Sequence, residues 1–301
     1  MGFKRTRDDA MAEGKPEQNS SPFVAMFEGF RKELDEHHDR RERTIKASRD
    51  ITAASKKIIF TLQRVREVGK PVPAFVTKNN AQYWKIIEDQ YKAISADLQG
   101  LNAYRYSHNI TGGNQEFMEA LSFHHYLETQ SVIPQEEAQA RITSMCAGPD
   151  TPVLLTPEDY ILGICDMTGE LMRFSVTSMA TNGKLPAGKQ TSNKRIKQDP
   201  SSEDTGDKMD IDEDSSALPE PQKPRTVLDD LRAIRLQLEM FEAPGGSKFA
   251  HELETKKMPV MRECVDKVEK ALYGLTVRGS ERPKGWMPDM GGDRRAEVES
   301  Y

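Results

Sequence analysis

Ile45-Lys46-Ala47-Ser48-Arg49-Asp50-Ile51-Thr52-Ala53-Ala54-Ser55-Lys56-Lys57-Ile58-Ile59-Phe60-Thr61-Leu62 carries apolar or small residues at 45, 48, 51, 55, 58 and 62, with charges between them. Steps of three and four are the period of one helix face. Phe23, Phe27, Phe30 and Leu34 extend the same face upstream, and Val65 extends it downstream. Ser21-Pro22 is a start signal and Gly69-Lys70-Pro71 a stop signal. The spacing predicts one amphipathic helix of roughly 45 residues, about 70 Å long at about 1.5 Å per residue. A helix of that length cannot bury its stripe inside a small ball, so it calls for an elongated bundle or a partner helix.

Further helices follow by the same reasoning. One is expected from about Ala74 to Ser107, with Tyr83, Trp84, Ile87, Tyr91, Ile94 and Leu98 on a face. Thr111-Gly112-Gly113-Asn114 reads as a break, followed by a helix from Gln115 to Thr129 and another opened by Pro134 and ending near Ala147. Thr156-Pro157-Glu158-Asp159 has the form of a capped start, with Thr156 at the N-cap, of a helix running to about Ala180. Val227, Leu228, Leu231, Ile234 and Leu238 mark a helix closed by Pro244-Gly245-Gly246. Met261, Val265, Val268, Leu272 and Leu275 mark the last, with Pro259 in its first turn or kinking it. No strand run and no internal repeat is found.

The chain has 301 residues, 36% hydrophobic and 30% charged, with mean hydropathy −0.70. Such polarity predicts segments that bury too little apolar surface to offset their ordering entropy. They are a disordered arm over 1–21, a disordered insertion over 182–225 and an irregular tail over 286–301. These flank one helical domain made of 22–181 and 226–285. A formal charge of −5 offers no general attraction to nucleic acid. RNA contact would need a local site, a metal or another subunit. The cysteines, Cys146, Cys165 and Cys264, are odd in number and far apart. They predict neither a disulfide framework nor a zinc site, and a reducing compartment. No apolar run reaches the roughly 18–20 residues of a membrane span, and the first residues lack the apolar stretch of a secretory signal. Cytoplasm and nucleus are expected. Lys4-Arg5-Thr6-Arg7 and Lys194-Arg195-Ile196-Lys197 are short basic clusters of the kind read as nuclear-import signals.

Two spacings carry chemistry. Glu116 and Glu119 are three apart, and Asp166 and Glu170 four apart, so each pair shares a helix face. The second helix is otherwise apolar, and carboxylates in that setting are costly unless paired with a cation. Two such helices side by side form an oxygen cage suited to Mg²⁺ or Mn²⁺. A metal there acidifies a bound water and neutralises charge on a phosphodiester under attack. By spacing alone, such pairs are more often solvated faces or intrahelical ion pairs than metal ligands. His124, His125 and Glu128 lack the recurrent ExxH pairs of a di-iron bundle. Cys165, among apolar neighbours, reads as a buried thiol.

Several blocks of the chain resemble the translin family, on the side of its translin-associated subunits. They are Glu33-Leu34-Asp35 with His38-Asp39, Ser48-Arg49-Asp50-Ile51-Thr52, Ser55-Lys56-Lys57, Gln115 to Ala120 with Ser122-Phe123-His124, Thr156 to Gly163, Asp166 to Arg173, and Tyr273 to Glu281. The resemblance covers about 23–181 and 226–285, and its insertion at 182–225 is longer than that loop is expected to be. It implies an all-α, elongated seven-helix bundle with a very long first helix. It also implies assembly with translin into a hollow hetero-oligomer that cleaves RNA, namely small-RNA passenger strands and tRNA-processing fragments. Glu116, Glu119, Asp166 and Glu170 then become the catalytic, Mg²⁺-binding residues, with Glu119 and Glu170 as direct ligands. The other reading is a non-catalytic helical scaffold that stabilises translin and binds other proteins.

Overall fold

The computed structural model describes residues 21–148, 151–188 and 224–278. The N-terminal arm, nearly all of the expected insertion, the tail and both basic clusters lie outside the described residues. The chain divides between Arg43 and Thr44 into two units. In the first, Phe23, Phe27, Phe30 and Leu34 form the expected stripe and are all exposed.

The described residues are helical, joined by turns and by one isolated antiparallel bridge, Ala187 to Thr226. Seven helices of eleven or more residues are present among them: α1 (Pro22–Leu62), α2 (Ala74–Ile94), α4 (Ser107–Thr129), α5 (Gln135–Met145), α6 (Pro157–Asn182), α7 (Val227–Glu239) and α9 (Met258–Arg278). Two single turns, α3 (Leu101–Arg105) and α8 (Lys248–Glu252), complete the set. α4 packs on α6, α6 and α7 on α9, and α2 on α5.

α6 and α7 open on side-chain caps, whereas α1 and α2 end earlier than their apolar spacing predicts. Thr156 caps α6 by accepting the Asp159 N–H at 3.1 Å. Thr226 and Asp229 form a reciprocal capping box that opens α7. α1, however, ends at Leu62, well short of Gly69. Beyond it Arg64 and Val65 donate to Thr61 and Leu62, a tightened last turn, and Val65, Val68 and Val72 then enter the core without helical structure. α2 stops at Ile94 rather than Ser107, and Gly100, at φ 56°, turns the chain into α3. Pro259 is the second residue of α9, directly after a π turn over Leu253–Lys257. A proline lacks the N–H that would bond back into that turn, which accounts for the local widening of the helix.

The expected break at Thr111-Gly112-Gly113-Asn114 is absent, because α4 runs straight through it. The glycines serve close approach instead. A methyl at Gly113 would lie 3.0 Å from Ser48 Cα, and the Gly113 N–H donates to Ser48 Oγ at 2.9 Å. α4 thus meets α1 backbone to backbone. Across the other side of α4, a methyl on Gly163 of α6 would lie 2.6 Å from Met118 Cβ and 3.1 Å from the Gln115 carbonyl oxygen.

A buried polar cluster fixes the same α4–α6 seam. Asp159, 3% exposed, accepts from Gln115 Nε2 at 3.1 Å, Asn114 Nδ2 at 3.3 Å and Thr111 Oγ1 at 3.4 Å. Asn114 in turn accepts from the Tyr91 hydroxyl of α2 at 3.0 Å. Burial raises the Asp159 carboxyl above its ordinary range, and the Gln115, Asn114 and Thr111 donors oppose that rise.

Gly163 and Gly112 make a paired test of this packing. Gly163→Ala must push Met118 and the α4 backbone away, and is expected to cost about 1–3 kcal/mol. Gly112→Ala, whose methyl would find its nearest neighbour at 3.9 Å, is expected to be neutral or to stabilise by up to about 1 kcal/mol through helix propensity. Chemical denaturation of both variants measures the difference, and equal effects would contradict the close-approach account.

Candidate metal centre

Glu116 and Glu119 project from α4, and Asp166 and Glu170 from α6, one turn beyond the Gly163–Met118 contact. The seam therefore brings the two expected pairs to one place. Their fields overlap. Burial raises the Glu119 carboxyl well above its ordinary 4.5, and Glu116, Asp166 and Glu170 all push it further, with Lys257 opposing. Burial also raises Glu116, which Lys56 opposes while Asp166 and Glu170 add to the rise. Burial raises Asp166, and Lys257 opposes it by charge and by hydrogen bond.

Cations and amides from three other segments meet these oxygens. Lys257, on the π turn, donates to Asp166 Oδ1 and Oδ2 at 2.8 and 2.7 Å. Lys56 of α1 lies 3.8 Å from Glu116 Oε2, and Arg173 of α6 lies 3.6 Å from Glu170 Oε1. Gln63, just past the end of α1, donates to the Glu170 carbonyl at 3.0 Å and to its Oε2 at 2.6 Å. The Glu119 carboxylate receives no hydrogen bond or ion pair among the described residues.

The family blocks included Lys56 and Arg173 without a role, and Lys257 and Gln63 went unnoticed. Gln63 was open to discovery, since it lies seven residues after Lys56 and so on the same helical stripe. Nothing local marks Lys257, which reaches Asp166 from a distance of 91 residues along the chain.

A cation cage is not closed in this conformation: among the described residues, no three His, Cys, Asp or Glu side chains converge to hold one ion. The donor set nevertheless fits a hard cation. It consists of oxygens alone, neighbouring carboxylates raise the proton affinity of Glu116 and Glu119, and Gln63 Oε1 beside it is buried without a hydrogen-bond partner.

The other sequence candidates lie apart. His124 packs edge-on against the Trp84 ring at 6.1 Å, and burial lowers its pKa. His125 contacts the Ser131 hydroxyl at 3.2 Å. Burial pushes the Cys165 thiol up to about 12, which removes it as a nucleophile at neutral pH. A pocket of about 680 Å³ between Tyr104, Leu154, Ile161 and Phe241 is lined by none of the four carboxylates. No helix among the described residues is long and apolar enough to cross a membrane.

Fold and site together define an all-helical protein whose adjacent helices α4 and α6 present opposed carboxylate pairs ringed by lysine, arginine and glutamine. The translin family model matches residues 39–279, and the chain belongs to the translin family. It is similar to Translin-associated protein X of Mus musculus, at 30% identity over 96% of this chain and 92% of that protein. It is also similar to the Rattus norvegicus protein of the same name, at 29% over the same shares. The Translin-associated protein X homolog of Schizosaccharomyces pombe is 35% identical over 50% of this chain and 61% of its own length. Among solved structures, apo-NeC3PO matches with TM-score 0.52 at 16% identity, covering 81% of this chain and 94% of that one. AfC3PO matches with TM-score 0.51 at 17% identity, covering 84% and 97%. At those identities the two structures speak to the fold, which is the translin-type helical fold.

The crowding of negative charge has a pH signature. A carboxyl whose pKa rises on folding binds its proton more tightly in the native state, so stability falls as pH rises through that raised value. Glu119→Gln removes the charge and keeps the shape. In metal-free buffer it is expected to raise the melting temperature at neutral pH, the gain shrinking to nothing as pH falls toward 4.5, the ordinary value. A gain independent of pH would mean that Glu119 is not under electrostatic stress.

Proposed function

We propose that this chain is the Mg²⁺-dependent endoribonuclease subunit of a hetero-oligomer with translin. The observation that carries the reading is that α4 and α6 of a translin-family fold bring Glu116, Asp166 and Glu170 near enough to Glu119 for each of the three to raise its proton affinity, on top of burial. Glu119, buried beside three other carboxylates and paired with no side chain among the described residues, is under electrostatic stress that a bound divalent ion would relieve. The partner assignment draws on the relatives, which are named for association with translin.

Mg²⁺ bound by these oxygens would supply an acidified water and neutralise charge on the scissile phosphate. The remaining work falls to the chain. Glu119 and Glu170 are the ligands, with Glu116 and Asp166 completing the set. Gln63 fixes the Glu170 carboxylate by donating to its Oε2 and to its backbone carbonyl. Lys257, donating to both Asp166 oxygens, opposes the rise that burial imposes on that carboxyl. Lys56 and Arg173, exposed beside Glu116 and Glu170, would offer positive charge to phosphate oxygens. Mn²⁺, also a hard cation, suits the same donors.

The scaffold reading makes the opposite forecast for one experiment. Glu119→Ala and Glu170→Ala, each in the chain co-assembled with translin, are expected to lower Mg²⁺-dependent cleavage of single-stranded RNA by more than about 100-fold, since even residues behind a metal's ligands are worth about 10–100-fold. Size-exclusion chromatography should show the assembly unchanged. Cleavage that survives both substitutions would leave the scaffold reading in place.

A further inference from the structure

Lys56, Phe60 and Gln63 are spaced four and three apart along the end of α1 and form one stripe. Both ends of the stripe touch the carboxylates, Lys56 at Glu116 and Gln63 at Glu170. Phe60 stands between them and takes no part in the core: it is 74% exposed. A large aromatic ring is therefore held in water at the lip of the acidic site.

α2 supplies a facing wall. Lys57 lies over the Tyr83 ring, with Nζ 5.3 Å from the ring centroid. Lys56, Lys57, Phe60, Asn79, Gln82 and Tyr83 line an open pocket of about 370 Å³. The chemistry of this lining is specific in combination. Two aromatic rings line it, Phe60 with an open face for stacking and Tyr83 capped by Lys57; two carboxamides offer donors and acceptors at an edge, and two ammonium groups offer charge to a phosphate. An aliphatic ligand would use neither the amides nor the lysines. A carboxylate-rich peptide would use the lysines, leave the rings idle and be repelled by Glu116.

We propose that this pocket seats one unpaired nucleotide of an RNA strand, its base stacked on Phe60 and its adjoining phosphate directed to the four carboxylates. The direction of the phosphate rests on the nuclease reading above; the seat for the base rests on the pocket itself. Aromatic stacking tolerates any base, so the pocket selects for an unstacked nucleotide rather than for a sequence, with Asn79 and Gln82 adding a modest base preference. A base within duplex cannot reach it without leaving its stack. The site thereby favours single-stranded or nicked substrate.

The test measures binding apart from cleavage. Fluorescence anisotropy with a short labelled oligoadenylate, on the full chain in EDTA, reports the seat alone. Phe60→Ala is expected to weaken binding about tenfold, the scale of one lost stack. Phe60→Trp is expected to bind within about twofold of wild type, and Phe60→Leu to behave like Phe60→Ala. Phe60 is exposed, so these variants should keep the wild-type melting temperature. Wild-type affinity in Phe60→Ala, or a leucine that serves as well as tryptophan, would overturn the proposal, as would no measurable binding by the wild-type chain. The two readings fail separately. If the Glu119 and Glu170 variants lose cleavage while the Phe60 variants bind normally, the seat alone is wrong. If the Phe60 variants lose binding while the carboxylate variants still cleave, the nuclease assignment is wrong and the seat stands.

Discussion

The contact on which the rest depends is the close approach of α6 to α4 at Gly163. With no Cβ there, Met118 and the backbone of Gln115 come within the space a methyl would occupy. Asp159, one turn upstream, then sets the register, because its carboxylate can satisfy Thr111, Asn114 and Gln115 in only one alignment of the two helices. A slip along either helix would leave a buried carboxylate unsatisfied, a cost that close packing alone would not impose. The acidic pairs inherit that register. Gln115 is followed at once by Glu116, and Gly163 precedes Asp166 by a single turn.

Once the seam is made, electrostatics becomes the dominant local force. Three of the four carboxyls at the site are raised by burial, and Glu119 most clearly feels the other three. The fold answers with cations from separate elements: Lys56 from α1, Arg173 from α6 and Lys257 from the π turn before α9. Each is at least partly open to solvent, so each interaction is screened and worth less than a buried pair. The compensation is therefore incomplete at Glu119, which no side chain pairs. A binding site differs from a structural ion-pair network in this respect, since it keeps charge that the protein itself does not neutralise.

The end of α1 joins the acidic site to the pocket beside it. α1 ends at Leu62, where Val65, Val68 and Val72 leave the helix to fill the core. Gln63, whose N–H still bonds to the Ile59 carbonyl at 3.0 Å, keeps the helical spacing of Lys56 and Phe60 and so meets Glu170. The pocket between α1 and α2 opens along those same last turns.

The helical class, the number of long helices, the capped start of α6 and the pairing of Glu116 with Glu119 and Asp166 with Glu170 were all legible in the residues. They depend on period and on caps, which act over one or two turns of chain. The stops were less legible. Gly112-Gly113 carries the same letters whether it breaks a helix or lets two helices touch, and only Ser48 across the gap distinguishes the outcomes. The end of α1 was hidden for a similar reason, since valines suit a helix face and a non-helical core segment alike. Lys257, Gln63 and the exposed Phe60 acquired meaning only from neighbours far along the chain. Sequence by itself determined which residues could share a face, because that is a matter of local geometry. Tertiary structure decided which faces meet, because burial, close backbone contact and the satisfaction of Asp159 are properties of pairs of segments that no single stretch contains.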